Sequence, residues 1–477
     1  MPEKENTLGL TVKPSEDFSE WYNQIVVKAK LADYSAVKGC MIILPNGYAL
    51  WEKIQQTFDK AIKQHNVQNA YFPLFIPESF FQKEAKHAKG FAPEVAWVMN
   101  KGEGERLAVR PTSETIIVDS FAKWVRSYRD LPLKVNQWCN VVRWETNTTR
   151  LFLRTREFLW QEGHCIYQTP EEADKETLIY LHEYKKLSEE LLAIPVMIGK
   201  KTEAEKFAGA VYTTTMEAMM PDGKALQMGT SHNLGQGFME AFGVSFLDEQ
   251  SKKQVPWYIS WGVSTRLLGA LVMAHSDEKG LVLPPSIAPT QIVIVPIFND
   301  TNQKEVLKKA QELKKRLEVH TVYLDDRDNY MPGWKFNEWE LKGIPLRIEI
   351  GPKDIAKEQV VIVRRDSGKK EMIPMKELEK KVKETLESMQ KEMFAKAEKH
   401  LKESIVEVKT WKDAEKAFKE QKGIKMLFCG RAECEKQIKE KTTASSRCFP
   451  FNQKPKKGKC VHCNESASEE CIFAKSY

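Results

Sequence analysis

Residues 139 to 167 limit this chain most: Cys-Asn-Val-Val-Arg-Trp-Glu, a short loop of Asn, Thr and Arg, then Arg-Thr-Arg-Glu-Phe-Leu-Trp-Gln-Glu-Gly-His-Cys-Ile-Tyr. Aromatic and β-branched residues on both sides of a polar loop predict two antiparallel strands joined by a hairpin. Side chains two apart share a strand face. Arg143 and Glu145 should therefore point one way, and Arg156, Phe158, Trp160, Glu162 and His164 should line up on the returning strand. A solvated face also carries charges. Here they alternate with large aromatics, while the opposite face holds Leu159, Gln161 and Gly163. Such a face suits the floor of a polar pocket. Arginines grip phosphates through planar donor forks, and carboxylates bind an amine or a metal ion. The pattern points to a nucleotide beside a small cationic ligand.

At 477 residues the chain exceeds a single core and suggests about three domains. Its start, Met-Pro-Glu-Lys-Glu-Asn, has no apolar signal segment. The longest uncharged run, Gly280 to Asn299, is interrupted by Pro284, Pro285, Pro289 and Pro296. A cytoplasmic protein with no membrane span is expected. The net charge of +7, from 73 basic and 66 acidic residues, fits a shaped RNA surface and a plain soluble enzyme equally.

Leu50, Ile54, Phe58 and Ile62 predict a helix over 50–64. Asn69 to Pro77 reads as a strand confined to a sheet edge by Pro73. Thr169 to Ala193 reads as a helix opened by Thr-Pro-Glu-Glu. Trp257 to Ser260 predicts a strand, followed by a helix near Ser264 with Arg266 in its first turn, where backbone N–H groups face anions. Pro284 to Pro289 reads as a stiff linker. Strands at 292–295, 320–324, 346–350, 359–363 and 371–373, with helices at 304–317 and 334–342, predict an α/β unit. A charged helix over 376–402 leads into the last domain. There, Cys429-x4-Cys434 and Cys460-x2-Cys463 favour tetrahedral zinc in a reduced compartment, with Cys448, Cys471 and His462 as further candidates.

The Arg-Trp-Glu strand, the loop and the Arg-Thr-Arg-Glu-Phe return resemble motif 2 of class II aminoacyl-tRNA synthetases. Arg-Pro-Thr-Ser-Glu-Thr (110–115), Phe-Leu-Trp-Gln-Glu-Gly-His (158–164), Lys-Phe-Ala-Gly-Ala-Val-Tyr-Thr-Thr-Thr (206–215), Gly-Thr-Ser-His (229–232) and Ser-Trp-Gly-Val-Ser-Thr-Arg (260–266) are similar to prolyl-tRNA synthetases. The resemblance covers nearly the whole chain. It implies an α/β multidomain fold: a class II antiparallel-sheet catalytic domain over 1–285, an α/β anticodon-binding domain over 286–384, and a zinc-binding α+β domain over 385–477. The helix and strand at 50–77 resemble motif 1, which implies a homodimer.

The implied reaction joins L-proline to ATP, releases pyrophosphate, and passes the prolyl group to tRNA(Pro), with Mg2+ accompanying the nucleotide. By resemblance Arg143 and Arg266 are catalytic. Thr112, Glu114, Arg143, Trp160, Glu162, His164 and His232 would hold proline. Arg143, Glu145, Arg154, Thr155, Phe158, Gln227, Thr230, Ser264 and Arg266 would hold ATP. The family's four-cysteine zinc site falls on Cys429, Cys434, Cys460 and Cys463. Glu340, Arg347, Lys353 and Asp354 would read the guanines of the anticodon. No room for an inserted editing domain is expected between Glu157 and Arg266, and motif 3 lacks the general spaced glycines, as in the archaeal and eukaryotic branch. Misactivation of alanine follows from the small energy that separates apolar ligands of similar size. A threonyl-type zinc pocket from His164, Cys165 and His232 is disfavoured, because adjacent strand residues face opposite sides. A synthetase-like RNA-binding regulator predicts lost phosphate arginines, and Arg143, Arg154 and Arg266 are all present.

Overall fold

The computed structural model describes residues 9–85, 94–99, 102, 104–146, 148–451 and 453–477. Residues 1–8, which carry the expectation of no signal segment, and Asn147 of the hairpin loop lie outside these. Among the described residues the largest element is an eleven-stranded sheet. Its strands, numbered in chain order, are β1 (Gln68–Asn69), β2 (Leu133–Val142), β3 (Glu157–Tyr167), β4 (Met197–Lys200), β5 (Tyr212–Met219), β6 (Ala225–Gly235), β7 (Trp257–Ser264), β8 (Ile405–Glu407), β9 (Gly423–Phe428), β10 (Ser445–Pro450) and β11 (Glu469–Ala474). They lie in the order β8-β9-β11-β10-β4-β5-β6-β7-β3-β2-β1. The expected hairpin is the β2–β3 pair, antiparallel from Leu133↔Ile166 to Val142↔Glu157.

Helices cover one face of this sheet. Helix α1 (Pro45–Lys63) buries Leu50, Ile54, Phe58 and Ile62, as their spacing predicts. Helix α2 (Glu114–Trp124) lies on the other face, where Ile117, Val118 and Phe121 pack with Ile166 and Tyr258, and it begins at a residue assigned to the pocket. Helix α3 (Pro170–Lys186) opens on a capping box between Thr169 and Glu172, with Pro170 at the first turn. It packs on β5 to β7, where Tyr180 stacks on Trp261 at a ring separation of 4.0 Å and Tyr184 donates to the buried Gln161 at 2.6 Å. Phe58 stacks on Tyr184 from α1. Each such side chain contributes about 1.5–3 kcal/mol on burial. Trp261 lies so close over β3 that a Cβ at Gly163 would fall 2.0 Å from its ring.

Two expectations change. The strand expected over 69–77 splits: Gln68–Asn69 pairs with β2, Phe75–Pro77 pairs with Leu107–Val109, and the segment around Pro73 between them is unpaired. Proline has no N–H for the ladder, and the Phe72 N–H donates to the Gln137 side chain instead. The proline segment 284–289, expected as a stiff linker, is packed into the protein. Ile287 is fully buried in the core of the main sheet, and the Ser286 N–H donates to Gln390 at 3.0 Å.

The α/β unit forms as predicted. Strands Val322–Leu324, Ile292–Pro296 and Leu346–Ile350 are parallel, and Gln359–Arg364 and Lys370–Pro374 add antiparallel. Arg365 ties this unit to the first through two 2.7 Å bonds to Asp277. Helix α4 (Arg266–His275) follows β7, and helix α5 (Leu378–Ser404) leads out of the α/β unit. Leu378, Val382 and Leu386 of α5 join the core of that unit, whereas Met393 packs with Ala193 and Val282. The helix is unbroken through residue 385 and delivers the chain to β8. No helix among the described residues is long and apolar enough to cross a membrane.

The C-terminal strands continue the main sheet, through Phe449↔Lys200 and Pro450↔Gly199. A Cβ at Gly199 would fall 2.3 Å from the Phe449 carbonyl oxygen. Gly199→Ala is therefore expected to destabilise the protein by about 1–3 kcal/mol, read from the urea midpoint. Gly9→Ala, where a Cβ meets nothing within 4 Å, should leave the midpoint unchanged.

Candidate active site

The sheet face away from α1 and α3 carries a cleft of about 250 Å³. Its floor is laid out in rows by the strand register. His232, Ser260 and His164 form one row across β6, β7 and β3; Thr230, Gly262 and Glu162 form the next; Ser264 and Trp160 form a third. Glycine at 262 keeps the middle of the floor open. Thr112 and Glu114, at the start of α2, line it near Arg143, which donates to the neighbouring Pro111 carbonyl, and Arg266 lines it as well. Every residue assigned from the sequence to proline lines this one cleft, together with Phe158, Gln227, Thr230, Ser264 and Arg266 from the ATP set. Glu145, Arg154 and Thr155 line an adjoining recess that shares Arg143, Phe158, Ser264 and Arg266 and also contains Tyr477. Arg156 turns elsewhere: it donates to the Thr146 and Lys38 carbonyls and lies over the Trp144 ring. β3 begins at Glu157 and β2 ends at Val142, so face alternation governs neither Arg156 nor Arg143 and Glu145.

The two buried carboxylates of the cleft differ in state. Glu162 is 2 % exposed and saturated: one oxygen accepts from Ser113 and from Gln137 at 2.9 Å, and the other meets His164 at 3.0 Å. Burial raises its pKa, but His164, Ser113 and Gln137 outweigh this and hold the carboxyl below its ordinary value. Glu114 has the Thr112 hydroxyl as its side-chain donor. Burial pushes its carboxyl up, against the pull of His164. A cationic amine entering beside Thr112 and Glu114 would supply the missing counter-charge. His232 shares a hydrogen bond with Thr213 at 2.9 Å, and enclosure by the cleft wall, with His164 nearby, pushes it down to about 3. Its ring is neutral.

The cleft also holds two arginines. Arg143 donates to the Pro111 carbonyl at 3.3 Å, with its guanidinium 5.4 Å above Phe158 and 5.7 Å above Trp160. Arg266 donates to the Leu153 and Gln227 carbonyls at 3.1 and 3.3 Å. Among the described residues neither has a carboxylate within hydrogen-bond reach. Burial, then repulsion from Arg143, pushes Arg266 down to about 10, so it remains charged at neutral pH. Two guanidiniums without a hydrogen-bonded carboxylate, beside an aromatic pair, suit phosphates and a planar ring.

Sequence reasoning missed the supports of this cleft: Ser113, Gln137, Tyr258 and Thr213, which orient Glu162, His164 and His232, and Lys201, Ser260 and Gly262 in its wall. Ser113, Ser260, Gly262 and Thr213 lie inside the quoted motifs. Nothing local marks Gln137 or Tyr258.

Three family models match: "tRNA synthetase class II core domain (G, H, P, S and T)" over residues 97–275, "Anticodon binding domain" over 291–385, and "Prolyl-tRNA synthetase, C-terminal" over 411–477. The proline–tRNA ligase 2 of Clostridioides difficile (strain 630) is 52% identical over 470 residues, covering 98% of this chain and 97% of its own length. The proline–tRNA ligase of Alkaliphilus oremlandii (strain OhILAs) is 50% identical over 483 residues and covers 100% of both chains. The chain belongs to the prolyl-tRNA synthetase family.

Among the described residues, the synthetase's one group of four potential metal ligands is Cys429, Cys434, Cys460 and Cys463, with all sulfurs within 4.8 Å of one another. Cys429 and Cys463 are 3.6 Å apart, and Cys434 and Cys460 3.9 Å. Four thiolates at about 2.3 Å from zinc stand about 3.8 Å apart, so the donor set fits that ion. Cys448 and Cys471 are buried outside the group. The His462 Nδ1 meets the Cys434 sulfur at 3.3 Å. In the anticodon-binding unit, Arg347 donates to Glu349 at 2.9 Å, stands 3.7 Å from Glu340 and lies over Phe336. Lys353 and Asp354 start a different, short helix, where Asp354 caps the Gly351 N–H at 3.0 Å. Cys434→Ser is expected to lower zinc content from about one ion per chain towards zero in elemental analysis, and to lower the thermal midpoint.

Proposed function

We propose that the cleft condenses L-proline with ATP to prolyl-adenylate and then passes the prolyl group to tRNA(Pro). Proline–tRNA ligase activity has the support of the class II core and of end-to-end relatives named for it. The observation that carries the detailed reading is one cleft that brings Thr112 and Glu114 together with Arg143 and Arg266, neither arginine being hydrogen-bonded to a carboxylate among the described residues. The ring nitrogen of proline, cationic with two N–H donors, fits the acceptor pair, and Trp160 gives its methylenes an apolar wall. Arg143 stands between this pocket and the recess, where it can hold both the proline carboxylate and the α-phosphate. Attack of that carboxylate on the α-phosphorus forms the acyl–phosphate bond as the bond to pyrophosphate breaks. Arg266, with Arg154 and Thr155, would take the outer phosphates, and Phe158 would stack on adenine. Gln227, Thr230 and Ser264 complete the nucleotide wall. Glu162 orients His164 and the strand around it. Magnesium would enter on the phosphates, with Glu145 as the acidic side chain on that side; a lone carboxylate suits an ion carried by its substrate.

The same reading assigns 1–285 to catalysis, 286–384 to anticodon binding through Glu340, Arg347, Lys353 and Asp354, and 385–477 to a structural zinc unit. Four thiolates leave zinc no open position for water. A chain without cis-editing is supported by residues 168–256, which are taken up by α3, β4, β5, β6 and short connecting elements. A homodimer is supported by exposed Tyr34, Ile42, Tyr48, Tyr71 and Phe75 near α1 and the strand after it. A cytoplasmic location is the natural one for this chemistry.

The test is ATP–pyrophosphate exchange dependent on added amino acid. Proline should drive it, and alanine should be disfavoured by only about 10- to 200-fold. Arg143→Ala should lower kcat/KM by about 100- to 1,000-fold at unchanged thermal midpoint. Absence of proline-dependent exchange in the folded wild-type protein sinks the reading.

A further inference from the structure

Behind the cleft wall lies a buried charge cluster that the reaction as described does not use. Glu217 on β5 is fully buried. Lys201, which lines the cleft, donates to it at 2.8 Å. Thr215 donates to the same oxygen at 2.9 Å. Arg447, on β10 of the C-terminal unit, spans both oxygens at 3.1 and 3.2 Å. Burial pushes the Glu217 carboxyl up, but Lys201 and Arg447 overcome this and keep it ionised.

The position of the cluster ties it to the phosphates. Glu217 pairs across the sheet with Gln227, and the Gln227 carbonyl accepts the Arg266 guanidinium. The charge on Arg266 is favoured by Glu217 and opposed by Arg143, Arg154 and Arg447. Two cations and one carboxylate leave the wall with one net positive charge. Without Arg447 the cluster would be neutral, and Glu217 would have a free oxygen with which to draw Lys201 and Arg266 away from the cleft. Next to Arg447, Ser446 meets Thr202 at 3.1 Å and donates to Glu435, the neighbour of Cys434. The four-cysteine unit thus supports the strand that delivers this guanidinium.

We infer that Arg447 is a positioning residue of the nucleotide site: by holding both oxygens of Glu217 it keeps Arg266 and Lys201 directed at the ATP phosphates. The inference rests on the adenylate-forming reading of the cleft. It makes the C-terminal unit a part of catalysis and gives the buried cluster a function beyond stability.

The test uses the full chain, with Arg447→Ala, Arg447→Lys and the double variant Arg447→Ala/Glu217→Gln, in pyrophosphate exchange. Arg447→Ala should raise KM for ATP about tenfold, the scale of coupling between neighbouring charges, and change KM for proline less than about twofold. Zinc content should stay at the wild-type value. The double variant, which lacks the uncompensated carboxylate, should recover most of the loss, a rescue that a purely structural contact does not give. An unchanged KM for ATP, a parallel rise in both KM values, or no rescue overturns the inference. If Arg447→Ala does not fold, Arg447→Lys decides: its single ammonium cannot span both oxygens, so a rise confined to KM for ATP supports the role and no change overturns it. If the wild-type chain shows no exchange at all, the function proposed above fails. The same variants are then compared by ATP titration calorimetry, where about tenfold weaker binding supports Arg447 and equal affinity overturns it.

Discussion

The register of β3 against β7 and β2 is the constraint on which the cleft depends. Strand side chains alternate strictly, so a slip of one residue would turn Trp160, Glu162 and His164 into the core and Gln161 and Gly163 into the cleft. The back of the sheet prevents this. Trp261 fits over β3 only where Gly163 leaves it room, and Gln161 meets Tyr184 of α3. The aromatic layer formed by Phe58, Tyr180, Tyr184 and Trp261, packed behind the sheet, therefore fixes which side chains reach the cleft.

Three buried glutamates show how environment assigns roles to one residue type. Glu162 is saturated by Ser113, Gln137 and His164 and is fixed as scaffold. Glu217 is ionised by two cations behind the wall. Glu114 has the weakest support and its carboxyl is pushed up by burial, which leaves it ready for a cationic ligand. The arginines follow the same logic. Arg365 and Arg327 are held by carboxylates and serve structure, whereas Arg143 and Arg266 donate only to carbonyls and keep their charge for a ligand.

Continuity of the main sheet gives the C-terminal unit more than a stabilising part. Helix α5 leaves the anticodon-binding unit and brings the chain back to the far edge of the catalytic sheet. Strand β10 then pairs with β4 beside Lys200, adjacent to a lysine of the cleft wall. A distortion among the four cysteines has a short covalent and hydrogen-bonded path to the nucleotide side, through Glu435, Ser446 and Thr202.

Much of this was legible in the chain because it is written at short range. The alternation from Phe158 to His164, the four-residue spacing in α1, the Thr-Pro-Glu-Glu start of α3 and the two cysteine pairs each need only a few neighbouring residues to be read, and the quoted motifs single out Thr112, Glu114, Arg143 and Arg266, which line one cleft. Only the tertiary structure decided what those residues meet. That Gln137 and Tyr258 orient Glu162 and His164, that Pro73 breaks its strand, that the proline segment near Ile287 is buried, and that Arg447 reaches Glu217 all depend on pairings between distant segments. Such pairings are fixed by the packing of the whole sheet, because a hydrogen bond or ion pair forms only where the backbone has already brought its two partners together.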